Sequence, residues 1–321
     1  MNKNIEFNQK LIDAIKHAHS KKNDQIGLLM QTLCVGKEAA YRRLRGEVHF
    51  TFAEACKLSK LLSISLNDIA QSGKYGMPVF ELKTYQEEFT GYDDHKLAEH
   101  DEALELIMNG SVLSMMVVCI TIPYVLFLSY DNLAKYRFFK WVYQAEKKLV
   151  PSKFADISIP EELRKRQRDT AEKRMYLPEN TFIFDRDMFA TCCNEFKYFH
   201  NLGLISDEEL GLLKKELLEA LQDLETFSVR GRNEAGNHTW IYLSNIAIDS
   251  NYTYIKGKDF EFAFMDGIYI MDSIVSTDPQ VCRMHREWIE SLRKYSTLIS
   301  VSGEIERKEF FREQRKLITE I

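Results

Sequence analysis

The sequence is poor in proline and glycine, with 6 Pro and 14 Gly among its 321 residues. That scarcity excludes collagen-like repeats and long disordered linkers, which need such residues in quantity. A strong charge of one sign is also lacking, because the formal net charge is only −5, which argues against a chain coated along its length in nucleic acid. Hydrophobic residues make up 45% and aromatic residues 12%, enough to bury a sizeable core. The length predicts two domains.

Cysteine is scarce and scattered, so the sequence lacks the framework of a small disulfide-stabilised secreted domain. The six cysteines lie at positions 34, 56, 119, 192, 193 and 282. Cys192 and Cys193 with His200, or Cys282 with His285, supply too few ligands for a zinc site, and we expect no metal. The first eight residues are polar and no apolar run follows, so no secretory signal peptide is predicted. A reduced, cytoplasmic protein is the expectation.

The motifs of common enzymes are also missing. The sequence contains no Walker loop, no G-x-G-x-x-G fingerprint and no G-x-S-x-G elbow. Ser244 and His238, with Asp249 or Asp266, offer the residue types of a hydrolase triad without its local pattern. We therefore predict no catalytic residue and no cofactor. An enzyme of unknown reaction, carried by the C-terminal domain, is the alternative.

One stretch lacks charge altogether, between Glu105 and Asp131, and residues 112–128 are almost wholly apolar. That length suits a membrane-spanning helix, so a single-span membrane-anchored regulator is a third hypothesis. Pro123 interrupts the run, and the charges around it would place the basic N-terminal part outside the cell. Several residues are β-branched, as in a buried strand: Val117, Val118, Ile120, Thr121 and Ile122. We predict a buried core segment and no membrane partner.

The charges are distributed unevenly along the chain. Residues 1–70 hold 8 Lys and 3 Arg against 4 Glu and 3 Asp, a net charge of +4, so the remainder carries −9. A small basic domain on an acidic one is expected when only the first touches nucleic acid. Residues 71–78 contain two Gly and a Pro and predict a linker. The predicted domains are therefore residues 1–72 and 73–321.

The second domain is predicted to be α+β and mostly α. Helical patterns cover residues 96–107, 130–149, 160–176, 185–202 and 206–226, the last with the capping-box spacing of Ser206 and Glu209. Strand patterns cover residues 238–248, 252–255, 260–265 and 268–275, with hairpin turns at 256–259 and 266–267. Two helices follow in residues 279–321, opened by Asp278 and by Ser302. These strands predict a small antiparallel sheet beside the helices.

Residues 5–70 predict five short helices. The first has an apolar stripe of Leu11, Ile12, Ile15 and Ala18. The second, residues 25–33, is capped by Asn23 or Asp24, and a short turn at 34–36 leads into the third, residues 37–45. Gly46 ends the third helix. The fourth begins with the capping box of Thr51 and Glu54, and the fifth covers residues 65–69.

This pattern resembles the phage-repressor (Cro, lambda repressor and Xre) class of helix-turn-helix domains over residues 8–71. The best agreement runs from Phe52 to Ile69, where eight residues follow the family pattern: Leu58, Lys60, Leu62, Ile64, Ser65, Leu66, Asp68 and Ile69. Two positions depart from it, since Cys34 replaces the turn glycine and Met30 a small residue. The resemblance implies that the third helix reads DNA.

Two registers are open for that helix. If the chain is aligned to the family pattern without a gap, Arg43 stands where the family has an apolar core residue. A turn one residue longer puts Tyr41 and Leu44 inward and leaves Arg42, Arg43 and Arg45 free. The second register is preferred, because a buried unpaired arginine is costly.

The third helix therefore supplies the predicted DNA-binding residues. Arginine can donate two hydrogen bonds to guanine, lysine can neutralise phosphate, and the first helical amides can approach a phosphate closely. The predicted set is Gln25, Gly36, Lys37, Glu38, Ala39, Arg42, Arg43 and Arg45. The sequence thus predicts a bacterial-type transcriptional regulator that binds double-stranded DNA as a homodimer. Its C-terminal domain would dimerise or sense a small-molecule or protein effector.

Overall fold

The fold is taken from a computed structural model of the chain, which describes residues 3–19, 21–62, 66, 78–83, 105–145, 152–174, 176–233, 235–268 and 272–321. The chain divides into two compact units, Met1–Val79 and Phe80–Ile321, which we call the head and the body. Several predictions lie outside the described residues: the fifth head helix apart from Leu66, linker residues 71–77, and residues 96–104 of a predicted helix.

Four helices are described in the head. They are α1 (Lys3–Ala18), α2 (Lys22–Leu33), α3 (Lys37–Leu44) and α4 (Phe52–Leu62). Each contributes an apolar stripe to one core, made of Leu11, Ile15, Ile26, Leu29, Leu33, Ala40, Leu44 and Leu58. The helical spacing of these residues explains why the four helices were predictable from sequence.

The ends of the head helices agree with two predictions and correct one. The capping box is confirmed, because the Thr51 amide donates to Glu54 at 2.9 Å and the Glu54 amide to the Thr51 hydroxyl at 3.3 Å. Gly46 follows α3 with a φ of +77°. The predicted cap of α2 is wrong, since α2 begins at Lys22 without a side-chain cap. Asp24 instead lies in its first turn, where a carboxylate interacts favourably with the helix dipole.

The body contains eight strands and seven labelled helices among its described residues. The strands are β1 (Glu81–Lys83), β2 (Val112–Cys119), β3 (Glu179–Phe184), β4 (Thr239–Ser244), β5 (Asn251–Gly257), β6 (Glu261–Ile268), β7 (Asp272–Ser276) and β8 (Ser296–Leu298). The helices are α5 (Tyr124–Leu128), α6 (Asp131–Ala145), α7 (Glu161–Arg174), α8 (Ala190–Asn201), α9 (Asp207–Arg230), α10 (Pro279–Lys294) and α11 (Glu304–Thr319). The α+β class is therefore confirmed.

The sheet is larger than predicted and mixed. Its order is β1-β7-β6-β5-β2-β3-β4-β8, with β2, β3 and β4 parallel and the other pairs antiparallel. The prediction of a small antiparallel sheet is thus wrong. It missed β1, β3 and β8, and the six residues of β3 lie between the helices predicted at residues 160–176 and 185–202. The uncharged run supplies β2 at the centre of the sheet, as the β-branched residues indicated.

Helices cover both faces of the sheet. Along β2 and β3, Cys119 and Phe184 pack with α6, α8, α9 and α11, whereas Val118 and Ile183 pack with α10 on the opposite face. This alternation follows from the two-residue period of a strand. In the described part of the chain, no helix has both the length and the apolar character needed to cross a membrane.

Local predictions in the body had mixed outcomes. The Ser206–Glu209 capping box is confirmed, and it begins α9. Gly267 does not lie in a hairpin turn but inside β6, at a register shift where its φ of +85° suits a bulge. Gly303, not Ser302, precedes α11, and its φ is +69°. A side chain at Gly303 would collide with the Leu298 carbonyl oxygen, so glycine is required there.

Candidate nucleic-acid interface

A tight turn connects α2 to α3 in the head. Cys34 ends α2 in the left-handed conformation, with φ 54° and ψ 43°, which glycine adopts most easily. Gly36 then has an extended backbone, and its carbonyl accepts the first bond of α3 from the Ala40 amide at 3.0 Å. Only three residues therefore separate α2 from α3. Cys34 takes up the backbone geometry of a turn glycine despite its side chain.

The inner face of α3 packs into the core of the head. Ala40 and Leu44 are buried, four residues apart, and Tyr41 is half-buried beside them. The prediction that Tyr41 and Leu44 point inward is confirmed. Lys22 lies with its Nζ 5.5 Å from the centre of the Tyr41 ring, which places the start of α2 next to α3.

Arg43 corrects the preferred register, because its side chain is not free. Its Nη2 lies 2.8 Å from Glu54 Oε1, its Nε donates to Oε2 at 3.5 Å, and its Nη1 donates to the Ala39 carbonyl at 3.3 Å. The two side chains are only 14% and 17% exposed. An inward arginine is costly when it is unpaired. Here Glu54 supplies the partner, so the cost of burying an unpaired arginine does not exclude a partly buried Arg43.

Glu54 is held in its charged form. Burial alone would raise the pKa of Glu54, but the hydrogen bond from the Thr51 amide and the Arg43 guanidinium outweigh it and lower the pKa below its ordinary value. The carboxylate thus caps α4 and pairs with α3 at the same time. Arg43 therefore links two helices of the head.

The outer face of α3 carries three exposed cationic side chains: Lys37, Arg42 and Arg45. In the free protein both arginines contact Glu47, with Nε–carboxylate distances of 3.6 Å for Arg42 and 2.6 Å for Arg45. Arg45 also lies 3.4 Å from Glu38. All four side chains are about half-exposed or more, and such surface pairs contribute little free energy. A phosphate or a base edge can therefore replace Glu47.

The remaining predicted residues fall into two groups. Gly36 and Glu38 are exposed at the start of α3, and Ala39 is half-buried. Gln25 is buried in the free head, and its Nε2 donates to the His19 carbonyl at 2.6 Å, so its contact with DNA stays a prediction.

Lys16 on α1 and four further exposed lysines of the head were not among the predicted residues. Lys21 and Lys22 lie at the start of α2, and Lys57 and Lys60 lie on α4. Charge is the only sequence signal they carry. Lys22 lies over the Tyr41 ring and so adds a cation next to α3.

Among the described residues, the histidine and cysteine side chains do not gather into a metal site. No group of three or more His, Cys, Asp and Glu side chains there could hold a metal ion. Cys192 and Cys193 are buried in the core of the body, and burial raises the pKa of the Cys193 thiol to about 11. Both cysteines therefore act as small core residues.

Comparison with known proteins gives no assignment of function. No family matches the chain, and no curated protein matches it at a significant level. What the head can bind therefore follows from its own geometry.

Proposed function

We propose that the head is a helix-turn-helix DNA-binding module and that the chain is a bacterial-type, cytosolic, sequence-specific transcriptional regulator. One observation carries the proposal: α3 buries Ala40 and Leu44 in the head core and exposes Lys37, Arg42 and Arg45 on the other side. It has 8 residues and follows directly on a tight turn. An α-helix with its side chains is about 10–12 Å across, and the major groove, about 12 Å wide, admits one.

The three cations have different chemical roles in this proposal. Arg42 and Arg45 are planar donors that can bridge O6 and N7 of a guanine. Lys37 lies at the start of α3, where an ammonium group can neutralise a phosphate. Gly36 has no side chain to block the approach of that phosphate to the first amides of the helix. The arginines thus supply sequence choice, and Lys37 supplies general affinity.

Glu47 adds selectivity, because it competes with DNA for both arginines. A duplex must displace the carboxylate from Arg42 and Arg45 before either can contact a base. A sequence that offers no matching guanine gives the arginines only phosphates in exchange for Glu47 and places that negative charge near the duplex. Glu47 therefore disfavours nonspecific sites.

The body is proposed to dimerise the protein and to sense a signal. One small module reads few base pairs, so regulators of this type usually place two modules on half-sites about 34–36 Å apart. On the body, Met284 and Trp288 of α10 and Tyr295, which follows it, expose apolar side chains. Light scattering of the full chain at micromolar concentration should show a homodimer. A monomer both with and without DNA would contradict this part of the proposal.

Selection of bound duplexes from a random pool tests the function. The full chain should enrich one motif with two-fold symmetry and bind it at least about 10³-fold more tightly than a scrambled duplex. Affinity for both duplexes should fall with salt, since phosphate contacts release counterions. A variant that replaces Lys37, Arg42 and Arg45 by alanine together is the control and should enrich nothing. An unenriched pool from the parent chain would refute the proposal.

A further inference from the structure

A shallow cavity of about 530 Å³, widely open to solvent, lies between α6 and α8 of the body. Helix α6 contributes Lys140, Tyr143 and Gln144, at helical spacings of three and four residues. Helix α8 contributes Thr191, Asn194, Glu195 and Tyr198 from one face, together with Phe199. The volume is in the range of small-molecule sites in proteins.

An ion pair lies at one side of this cavity. Lys140 Nζ lies 2.6 Å from Glu195 Oε1, and the buried Tyr136 hydroxyl donates to Glu195 Oε2 at 3.0 Å. The Lys140 and Glu195 side chains remain 24% and 31% exposed. A ligand in the cavity can therefore reach both charges, while Tyr136 keeps the carboxylate in place.

Aromatic rings form the neighbouring wall. Phe199 is buried at the base, with the ring of Tyr143 5.0 Å and that of Tyr198 5.2 Å from it. A hydrogen bond that the Tyr143 hydroxyl donates to Tyr198 raises the pKa of Tyr143, so the two hydroxyl groups meet at this wall. The cavity thus offers a cation and an anion at one side and flat apolar surface at the other.

We propose that this cavity binds a free α-amino acid with an aromatic side chain. Its carboxylate pairs with Lys140, its ammonium group with Glu195, and its ring packs on Tyr143 and Tyr198. A ligand with only one charge would take one partner of the ion pair and leave the other unpaired in a partly desolvated place, which is costly. A zwitterion satisfies both. The inference names the class of signal for the body but rests only on α6 and α8, so it does not depend on DNA binding.

Calorimetric titration of the full chain without DNA tests the chemistry of the ligand. The probes are L-phenylalanine, L-tyrosine and L-tryptophan, with 3-phenylpropanoate and phenethylamine as analogues that lack the ammonium or the carboxylate group. At least one amino acid should bind, and its affinity should exceed that of both analogues by tenfold or more. No binding of any of the three amino acids at millimolar concentration would overturn the proposal, and so would equal binding of an analogue.

Variants locate the site. Lys140→Met and Glu195→Gln should each weaken amino-acid binding at least tenfold, with circular dichroism unchanged. Asn194→Arg fills the cavity from an exposed position and should abolish binding. It therefore tests the site even if the Lys140→Met protein does not fold. The matched control is Lys215→Met with Glu219→Gln, an exposed ion pair of 3.8 Å on α9, which should bind as the parent does. Unchanged binding by Glu195→Gln and Asn194→Arg would refute this location.

Discussion

Replacing Arg43 with alanine should destabilise the head, whereas replacing its neighbour Arg42 should not. Arg43 makes three hydrogen bonds to Glu54 and the Ala39 carbonyl, and it is 14% exposed. Hydrogen bonds to charged groups contribute about 1.5–3 kcal/mol, and the truncation leaves Glu54 with the Thr51 contacts alone. We expect a loss of roughly 2 kcal/mol. Arg42 is 53% exposed, so Arg42→Ala should cost less than about 0.5 kcal/mol.

Hydrogen exchange of the full chain by mass spectrometry measures this loss in the head separately from the body. Peptides that cover α3 and α4 should lose roughly 30-fold in protection in Arg43→Ala, the equivalent of about 2 kcal/mol. Peptides from the body and the Arg42→Ala protein serve as controls and should be unchanged. If Arg43→Ala exchanges like the parent, the pair with Glu54 does not hold α3 against α4, and the register assigned to α3 is wrong.

The same pair makes the head sensitive to acid. The pKa of Glu54 is lower in the folded head than its ordinary value, so the pair stabilises the fold fully above the ordinary pKa of a glutamate, about 4.5. That contribution disappears as the pH falls through the folded pKa, because the carboxylate takes up a proton. In Arg43→Ala the loss of protection in α4 between pH 5 and 3 should be smaller than in the parent. An identical pH dependence in both proteins would contradict this assignment.

Three further predictions concern other parts of the molecule. Glu47→Gln frees both arginines of α3, so it should strengthen binding of a selected duplex by about 0.2–1 kcal/mol, up to roughly fivefold. An anisotropy titration at low salt measures this gain. Weaker binding would contradict the role of Glu47 as a competitor of DNA. Burial lowers the pKa of His285, whose Nε2 has no partner among the described residues, so the unfolded chain takes up a proton first as the pH falls below 6.5. The melting temperature of His285→Phe should therefore drop less than the parent's between pH 7.5 and 5.5, and an equal drop would exclude this cause. Val301 is exposed and has a φ of +61°, in a turn where the Ser302 amide donates to the Ser300 carbonyl. Val301→Gly should relieve strain of about 1 kcal/mol and raise the melting temperature. A lower melting temperature would show that the turn is unstrained.

Patterns that are local in sequence predicted most of the helices correctly. The stripe of Leu11 and Ile15, the capping box of Thr51, and the left-handed Gly46 are set by residues within four positions of one another. The β-branched residues of the uncharged run likewise indicated a strand and not a membrane helix. Each of these signals depends on the spacing of apolar residues along one element or on a hydrogen bond between residues close in sequence.

Features that depend on distant residues could not be predicted. Arg43 and Glu54 are 11 residues apart on different helices, and no periodic rule connects them. Strand β3 is six residues long, and its pairing with β2 and β4 is set by partners about 60 residues away on either side. The cavity between α6 and α8 also needed the packing of two helices, since neither Lys140 nor Glu195 belongs to a motif.

Titration of the Arg42→Ala protein against a selected and a scrambled duplex tests the central claim, that α3 reads DNA with its exposed arginines. The variant should lose roughly 1–3 kcal/mol on the selected duplex, about 5- to 150-fold, and much less on the scrambled one. Lys37→Ala, measured alongside, should weaken both duplexes alike and reduce the salt slope by about one. If Arg42→Ala binds the selected duplex as tightly as the parent while its fold is intact, α3 does not read DNA through Arg42 and the account is contradicted.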